Sequence, residues 1–565
     1  MPTRTSGWRS QRRPADSLSN TGNKKPSAGT VVAVEPLAAT AGGGILARGG
    51  NAADAALAAA FVQGVVNPIA CGVGGGLHAI FYEAASGKIT TLDAGGCAPK
   101  AAHDRLWEPA GNWMTQFRVV GEANRWGYQA STVPGFVRGA GAIFDRFGSG
   151  QMKWGELVES AITFAANGFV VSPFLYKEWM PNQYSNGFLG DGPKTLGYTE
   201  EGKRIFLGPN GEVPAIGATL VQSDYAATLG RIAEQGPDEF YLGSTARALV
   251  DDFQAHAGLL TDDDLTSFKA RFEEPLASTF NGLALYAETA PTLGPTFFEM
   301  MNVIEGWDLL ELGWNTPRYL DKLARAMHVA FRDRAEVIGD PDFVPVPLER
   351  LMSKDYAADL RAGIDRQTAA EPAPGQVAST ARGHTTHVTA VDAAGNAACI
   401  THSIGSGSGV INPGLGFMNN NHMIMFDPRP GHPNSIASGK RPNGGGDGLL
   451  VFREGKLVLA IGSPAGGRKA TAIAQILANV FVFGMKIQEA VSAERIHSED
   501  QPQTLILEPG FTSELALALA ARGYAIEIDA YTARVAAVSR DPSTGRLQPG
   551  CDPRCDAGYS APSLH

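Results

Sequence analysis

The sequence predicts an α+β protein in which antiparallel hairpins and helices stack in layers, and three observations lead there. Residues 386–391 alternate polar and apolar, turn at Ala393-Ala394-Gly395-Asn396, and return over 397–403. A second hairpin pairs 449–453 with 456–461 through Glu454-Gly455. Helical patterns surround these hairpins without the regular strand–helix alternation that builds a doubly wound parallel sheet.

The elements follow in order. Residues 1–29 are polar and mildly basic with no apolar run, and read as a disordered tail without a secretory leader; the expected address is the cytoplasm. Residues 31–34 form a short apolar strand, and 38–47 a helix that stops at Gly49-Gly50. Asn51 is a favoured cap for the alanine-rich helix 52–66. A glycine-dense turn at 72–76 leads to a strand over 78–83, and helices are expected at 154–167, 318–330 and 470–482. The Pro-, Gly- and Arg-containing stretch 371–384 reads as an exposed linker that ends abruptly at the 386–391 strand.

Composition narrows the function. A hydrophobic fraction of 44% in 565 residues supplies a sizeable core. Forty-seven basic against 57 acidic residues give a net charge of −10, the wrong sign for a nucleic-acid partner. No apolar run reaches the length of a membrane span. Five scattered cysteines are not a disulfide framework, and Cys551 and Cys555 lack a second pair to complete a zinc site. No cofactor is implied.

The chemistry concentrates at Gly383-His384-Thr385-Thr386-His387, a loop running into a strand. A threonine hydroxyl needs a base to become a nucleophile. If the bond before Thr385 is cut, the new α-amine, with a pKa near about 8, is a base attached to the nucleophile itself. The same hydroxyl can make the cut by attacking the His384 carbonyl.

Motifs along the chain resemble those of γ-glutamyltransferases, from about residue 30 to the end. They are Gly49-Gly50-Asn51-Ala52-Ala53-Asp54-Ala55-Ala56, Gly74-Gly75-Gly76, Thr132-Val133-Pro134-Gly135, Thr385-Thr386-His387, Val391-Asp392 with Gly395-Asn396-Ala397, Gly439-Lys440-Arg441-Pro442, Gly462-Ser463-Pro464-Ala465-Gly466 and Asp552-Pro553-Arg554. The resemblance implies the four-layer αββα sandwich of N-terminal-nucleophile hydrolases. It implies a precursor cut between His384 and Thr385 into a large part (30–384) and a small part (385–565) that stay together, as one pair or a dimer of pairs. It also implies an oxyanion hole at Ala465 and Gly466 and an orienting hydroxyl at Ser403.

Four positions depart from the family pattern. Gly95 stands where an arginine would hold the γ-glutamyl carboxylate, and Met425 where an acidic residue would receive the ammonium. Gly444-Gly445 replaces a serine pair, and Gly405 an asparagine. Each lost charge-assisted contact is worth roughly 1.5–3 kcal/mol, so the acyl group is expected not to be γ-glutamyl. Asn420, His422, Met425, Arg441 and Gly95 are the candidate substrate contacts. The expected activity is hydrolysis of a small N-acyl amide through a Thr385 acyl-enzyme. The alternatives are a genuine γ-glutamyltransferase or glutathione hydrolase, and an unprocessed binding protein. A metal site from His384, His387, His402 and His422 has poor ligand spacing, because residues three apart on a strand point to opposite faces. A serine hydrolase would need G-x-S-x-G, which Gly405–Gly409 does not supply.

Overall fold

Alternation in a strand sends successive side chains to opposite faces, and here both faces of the central strands are buried. The computed structural model describes residues 28–110, 117–180, 192–366, 384–446, 448–499, 504–530 and 532–562. Two main sheets organise it. Their strands are β1 (Gly29–Ala33), β2 (Gly76–Glu83), β3 (Lys88–Ala94), β4 (Arg271–Glu273), β5 (Leu276–Phe280), β6 (Leu283–Ala287), β7 (Thr386–Asp392), β8 (Ala397–Ser403), β9 (Gly448–Arg453), β10 (Lys456–Gly462), β11 (Ala536–Arg540), β12 (Leu547–Cys551) and β13 (Gly558–Ser560). The first sheet runs β13-β1-β7-β8-β2-β3-β4 and the second β12-β11-β10-β9-β6-β5. Every pairing in both is antiparallel.

Helices α1 (Pro36–Ala47), α2 (Ala52–Val66), α3 (Phe136–Phe147) and α4 (Trp154–Asn167) cover the first sheet, meeting Leu77, Ala79, Val388, Ala390 and Ile400. Ile80, Val391 and Cys399 leave its other face and meet Leu450, Ala460 and Val538 of the second sheet. Leu449, Val451, Leu459 and Ile461 then face outward against α5 (Gly294–Glu305), α6 (Pro317–Val337) and α7 (Arg468–Phe481). The result is the four-layer αββα sandwich that the family resemblance implies, with the second hairpin in the second sheet.

Helix α2 is buried on every side, and its alanines allow that close approach. Its start is fixed by a reciprocal cap: Asp54 N–H donates to Asn51 Oδ1 (3.0 Å), and Asn51 N–H to Asp54 Oδ2 (3.1 Å). Gly42 does not break α1; a Cβ there would sit 2.7 Å from the Ala55 carbonyl, so the glycine lets α1 and α2 touch. Pairing of β1 with β7 and β13 draws Gly29 and Thr30 into the strand, two residues earlier than the apolar pattern suggests. The helix expected over 318–330 continues to Val337. Residues 1–27 of the expected tail and 371–383 of the expected linker lie outside the described residues.

Strands from either side of the 384–385 bond are interleaved. β7 lies between β1 and β8, and β8 lies between β7 and β2. A cut before Thr385 leaves every one of these ladders intact.

Replacing Asn51 with alanine removes the α2 cap and the amide bond to the Phe147 carbonyl (2.7 Å). We expect a stability loss of about 1–2 kcal/mol, read as a lower denaturant midpoint with unchanged slope. An unchanged midpoint would show that tertiary packing alone sets the start of α2.

Candidate functional site

The hairpin register sets His402 opposite Thr386, which leaves Ser403 beside Thr385 at the open end of the strand pair. Thr385 Oγ1 lies 3.0 Å from Ser403 Oγ. The Ser403 hydroxyl donates to the His384 carbonyl (2.7 Å) and accepts from Gly405 N–H (2.8 Å). A hydroxyl has one proton, so Thr385 is the donor in the contact between the two oxygens. Ser403 therefore joins the Thr385 hydroxyl to the carbonyl of the bond preceding it.

Two buried networks hold this junction. On one side His384 Nδ1 and Arg534 Nη1 each lie 3.2 Å from Glu178 Oε2, and Arg534 Nη2 donates to the Thr385 carbonyl (3.5 Å). Burial disfavours charge on Glu178, yet Arg534 and His384 outweigh it and hold its carboxyl at about 2. On the other side the Thr386 hydroxyl donates to Glu35 (2.8 Å), as do Gln63 (2.7 Å) and Asn67 (2.8 Å). Gln63 also reaches Thr386 Oγ1 (2.7 Å) and the His387 carbonyl (3.1 Å), and His402 Nε2 meets Gln63 Oε1 at 2.9 Å. Desolvation pushes the Glu35 carboxyl up, and its three hydrogen bonds only partly offset that. The strand thus enters the site with its second residue locked below the sheet and its first free to face the opening.

The turn after β10 supplies backbone donors. Ala465 has φ 108° and Gly466 φ 55°, and a left-handed alanine is strained by about 1–3 kcal/mol. Among the described residues neither the Ala465 nor the Gly466 N–H has an acceptor. The Ser463 hydroxyl ties this turn to the Arg534 carbonyl (2.9 Å), the same residue that reaches Thr385. Two unused N–H donors on a strained turn suit a developing oxyanion.

The remaining candidates divide into two groups. Gly95, His422 and Met425 converge on a residue not singled out in the sequence, His78. A Cβ on either Gly95 or Gly445 would overlap His78 Nε2; one on Gly444 would lie 2.8 Å from Met425 Sδ, and one on Gly405 3.2 Å from His422 Cδ2. The four departing glycines and Met425 therefore surround one small region, which imidazole and thioether groups now occupy. His422 hydrogen-bonds the Gly95 backbone and is held neutral by burial, at about 4. Asn420 and Arg441 belong elsewhere. The Asn420 amide is spent on Thr132, Gly74 and His422 N–H. Arg441 donates to Asp93 (2.8 Å), Glu273 (3.1 Å) and Asp340 (2.7 Å) and is 7% exposed. A substrate carboxylate would have to displace a protein carboxylate there, so both residues serve the local fold. His384 turns to Glu178, whereas His387 sits between Thr401 (2.8 Å) and Thr389 (3.0 Å).

Glu178, Arg534, Glu35 and Gln63 also escaped the sequence reading. Their contacts with the 384–387 segment span 149 to 351 residues of sequence, so no local pattern announces them. His78 left one faint signal: it is the polar residue in the otherwise apolar start of β2.

The γ-glutamyltranspeptidase family profile matches residues 38–561. The chain is 36% identical over 511 residues to the acylase ACY 1 proenzyme of Pseudomonas sp. strain SE83, spanning 89% of this chain and 88% of that protein. It is 32% identical over 557 residues to the glutathione hydrolase proenzyme of Escherichia coli K12, spanning 94% and 92%. Among solved structures it resembles the cephalosporin acylase of Bacillus halodurans, with a TM-score of 0.84 and 27% identity over 99% of this chain and 100% of that one.

His387 and His402 are buried and held down to about 3, against an ordinary value of 6.5. Below 6.5 the unfolded chain binds protons that the folded one refuses, so stability falls as pH drops from 6.5 toward 3. Each ring contributes up to about 1.4 kcal/mol per pH unit in that window. His402→Gln leaves an amide able to meet Gln63 without the titrating group, and its thermal midpoint should fall less steeply with acid than the wild type's. Parallel curves would show that His402 does not drive the acid sensitivity.

Proposed function

The chain belongs to the γ-glutamyltranspeptidase family, and from that premise we propose that Thr385 severs the bond preceding it and then serves as the nucleophile of an N-acyl amidohydrolase. The observation that supports this most is the run from Thr385 Oγ1 through Ser403 Oγ to the His384 carbonyl. Attack of the Thr385 hydroxyl on the His384 carbonyl carbon forms a C–O bond. The C–N bond breaks, Thr385 nitrogen gains the proton, and water hydrolyses the resulting ester. The Ser403 hydroxyl, already donating to that carbonyl, favours the charge that develops on it.

The freed α-amine then takes the hydroxyl proton when Thr385 attacks a substrate amide. The Ala465 and Gly466 N–H groups receive the oxyanion. The leaving amine departs with the proton, and water releases the acid. The two chains remain one body because β7 and β8, after the cut, lie paired between β1 and β2, before it.

The relatives are named both as acylases and as glutathione hydrolases. The acylase reading is favoured because Gly95, Met425, Gly405 and Gly444-Gly445 all lack the groups the family uses for a γ-glutamyl head. A γ-glutamyl-p-nitroanilide assay beside simple N-acyl-p-nitroanilides decides between them: turnover of the acyl anilides alone supports the acylase, and robust γ-glutamyl turnover overturns it. Thr385→Ala should leave a single 59.4 kDa chain on a denaturing gel and no activity, whereas the wild type gives two shorter chains. A Thr385→Ala protein that still splits would place the nucleophile elsewhere. Ser403→Ala should slow maturation by roughly 10²-fold, read as accumulation of the uncut chain with time.

A further inference from the structure

We propose that Arg534 is a positioning residue for the reaction: its guanidinium, gripped by Phe174 and Glu178, ties the Thr385 main chain to the Ala465–Gly466 turn and sets the charge that the freed Thr385 amine meets. This rests on the reading of Thr385 as the nucleophile of an N-acyl amidohydrolase.

The grip is built by a short helix, Pro173–Trp179, on the other side of the 384–385 bond. Ser172 caps it, accepting from Leu175 N–H (3.1 Å), and Pro173 suits its first turn. Phe174 and Glu178 are four residues apart, so they share one face of the helix. That face meets Arg534. The guanidinium carbon stands 5.2 Å from the centre of the Phe174 ring, and Nη1 donates to Glu178 Oε2 (3.2 Å). A guanidinium is a rigid planar fork, so holding Nη1 on Glu178 also sets where Nη2 points. It points at the Thr385 carbonyl (3.5 Å).

The main chain of the same residue has a second task. The Arg534 carbonyl accepts from the Ser463 hydroxyl (2.9 Å), at the start of the turn that carries the Ala465 and Gly466 N–H groups. Nucleophile and backbone donors are thus both referred to one residue. Arg534 is 1% exposed, and a guanidinium taken this far from water is costly even when paired. An apolar side chain would fill the same depth at less cost. What the guanidinium adds is direction and charge.

The charge matters because of what the cut creates. Backbone geometry keeps the Thr385 nitrogen within about 3.6 Å of its own carbonyl oxygen, so the new amine lies within about 7 Å of Arg534 Nη2. A cation there disfavours the ammonium form, and the Glu178 carboxylate opposes that effect. Through an effective dielectric near about 20, one unopposed charge at about 7 Å moves an amine by roughly one to two pH units. The other charged or titratable groups around this point are His384 and Lys177 beside Glu178, Glu35 on the helix side of β7, and Lys469 beyond His387. His387, His402 and the thiols of Cys71 and Cys555 are kept neutral by burial, and Asp552 lies beyond Cys555, paired with Arg495.

Three substitutions separate charge from placement. They are read in the pH profile of kcat/KM for N-acyl-p-nitroanilide hydrolysis, whose acid limb marks loss of the proton from the amine. Glu178→Gln leaves Arg534 unopposed, and the limb should move down by about half a pH unit or more. Arg534→Gln removes the cation, and the limb should move up by about as much. Arg534→Lys keeps the charge without the fork, so kcat should fall about 10-fold with KM and the limb unchanged. Limbs that shift the same way in both glutamine variants, or in neither, overturn the proposal, because a residue that merely holds the fold would lower activity without moving them apart. A variant that stays uncut has no amine to titrate. The decision then falls to whichever variants are cut, and an Arg534→Lys enzyme with the kcat of the wild type overturns the proposal by itself. Acetylation of the Thr385 terminus with acetic anhydride across pH, read by mass analysis, titrates the amine directly and separates the two levels. If no acyl anilide is hydrolysed while the amine shifts as stated, the amidohydrolase reading fails and the Arg534 assignment stands. If anilides are hydrolysed and the amine moves in neither glutamine variant, the amidohydrolase stands and Arg534 does not govern it.

Discussion

Strand β7 holds Thr385 at its tip while both of its edges stay paired. β1 and β8 hold those edges, Glu35 and Gln63 fix Thr386 from the helix side, and Arg534 grips the Thr385 carbonyl. With Thr386 pinned, alternation leaves Thr385 facing the space between the sheets, beside Ser403. Everything else at the site is arranged around this placement. The strained turn at Ala465 is tied in through Ser463 and Arg534, and Glu178 holds Arg534 in turn. The interior is polar here, and its hydrogen bonds fix direction, which apolar packing cannot do.

The substrate end follows a different logic. Replacing arginine and serine side chains by glycine would ordinarily leave a hole, and holes are costly in close-packed interiors. At Gly95 and Gly445 the His78 ring stands where a side chain would begin, and at Gly444 the Met425 sulfur does, so the space is filled.

Much of this was legible in the residues. The two hairpins, the span of α2 and the 154–167 helix coincide with the sequence pattern, because alternation, a capping asparagine and an alanine run are local signals. The pairing of Thr385 with Ser403 followed from family motifs and is realised by the register of one hairpin. Which hairpin joins which sheet is set by long-range pairing, and no local signal encodes it. Arg441 reads as a candidate substrate contact because an arginine in the Gly-Lys-Arg-Pro stretch has no partner visible in the sequence; its carboxylates, Asp93, Glu273 and Asp340, come from three distant segments. His78 was overlooked for the converse reason. Its significance lies in the glycines opposite it, 17 and 367 residues further along (95 − 78 and 445 − 78).

The interleaving of strands across the 384–385 bond has a consequence for the life of the molecule. While that bond is whole, refolding is a search by one chain, and its rate does not depend on concentration. Cut as proposed, β7 can find β1 only by meeting a second chain, so a nicked molecule that opens loses its partner by dilution. The ladders that hold the halves together add nothing to their chance of reunion. Persistence of the mature form then depends on how slowly the sandwich opens, which makes its durability a matter of rate.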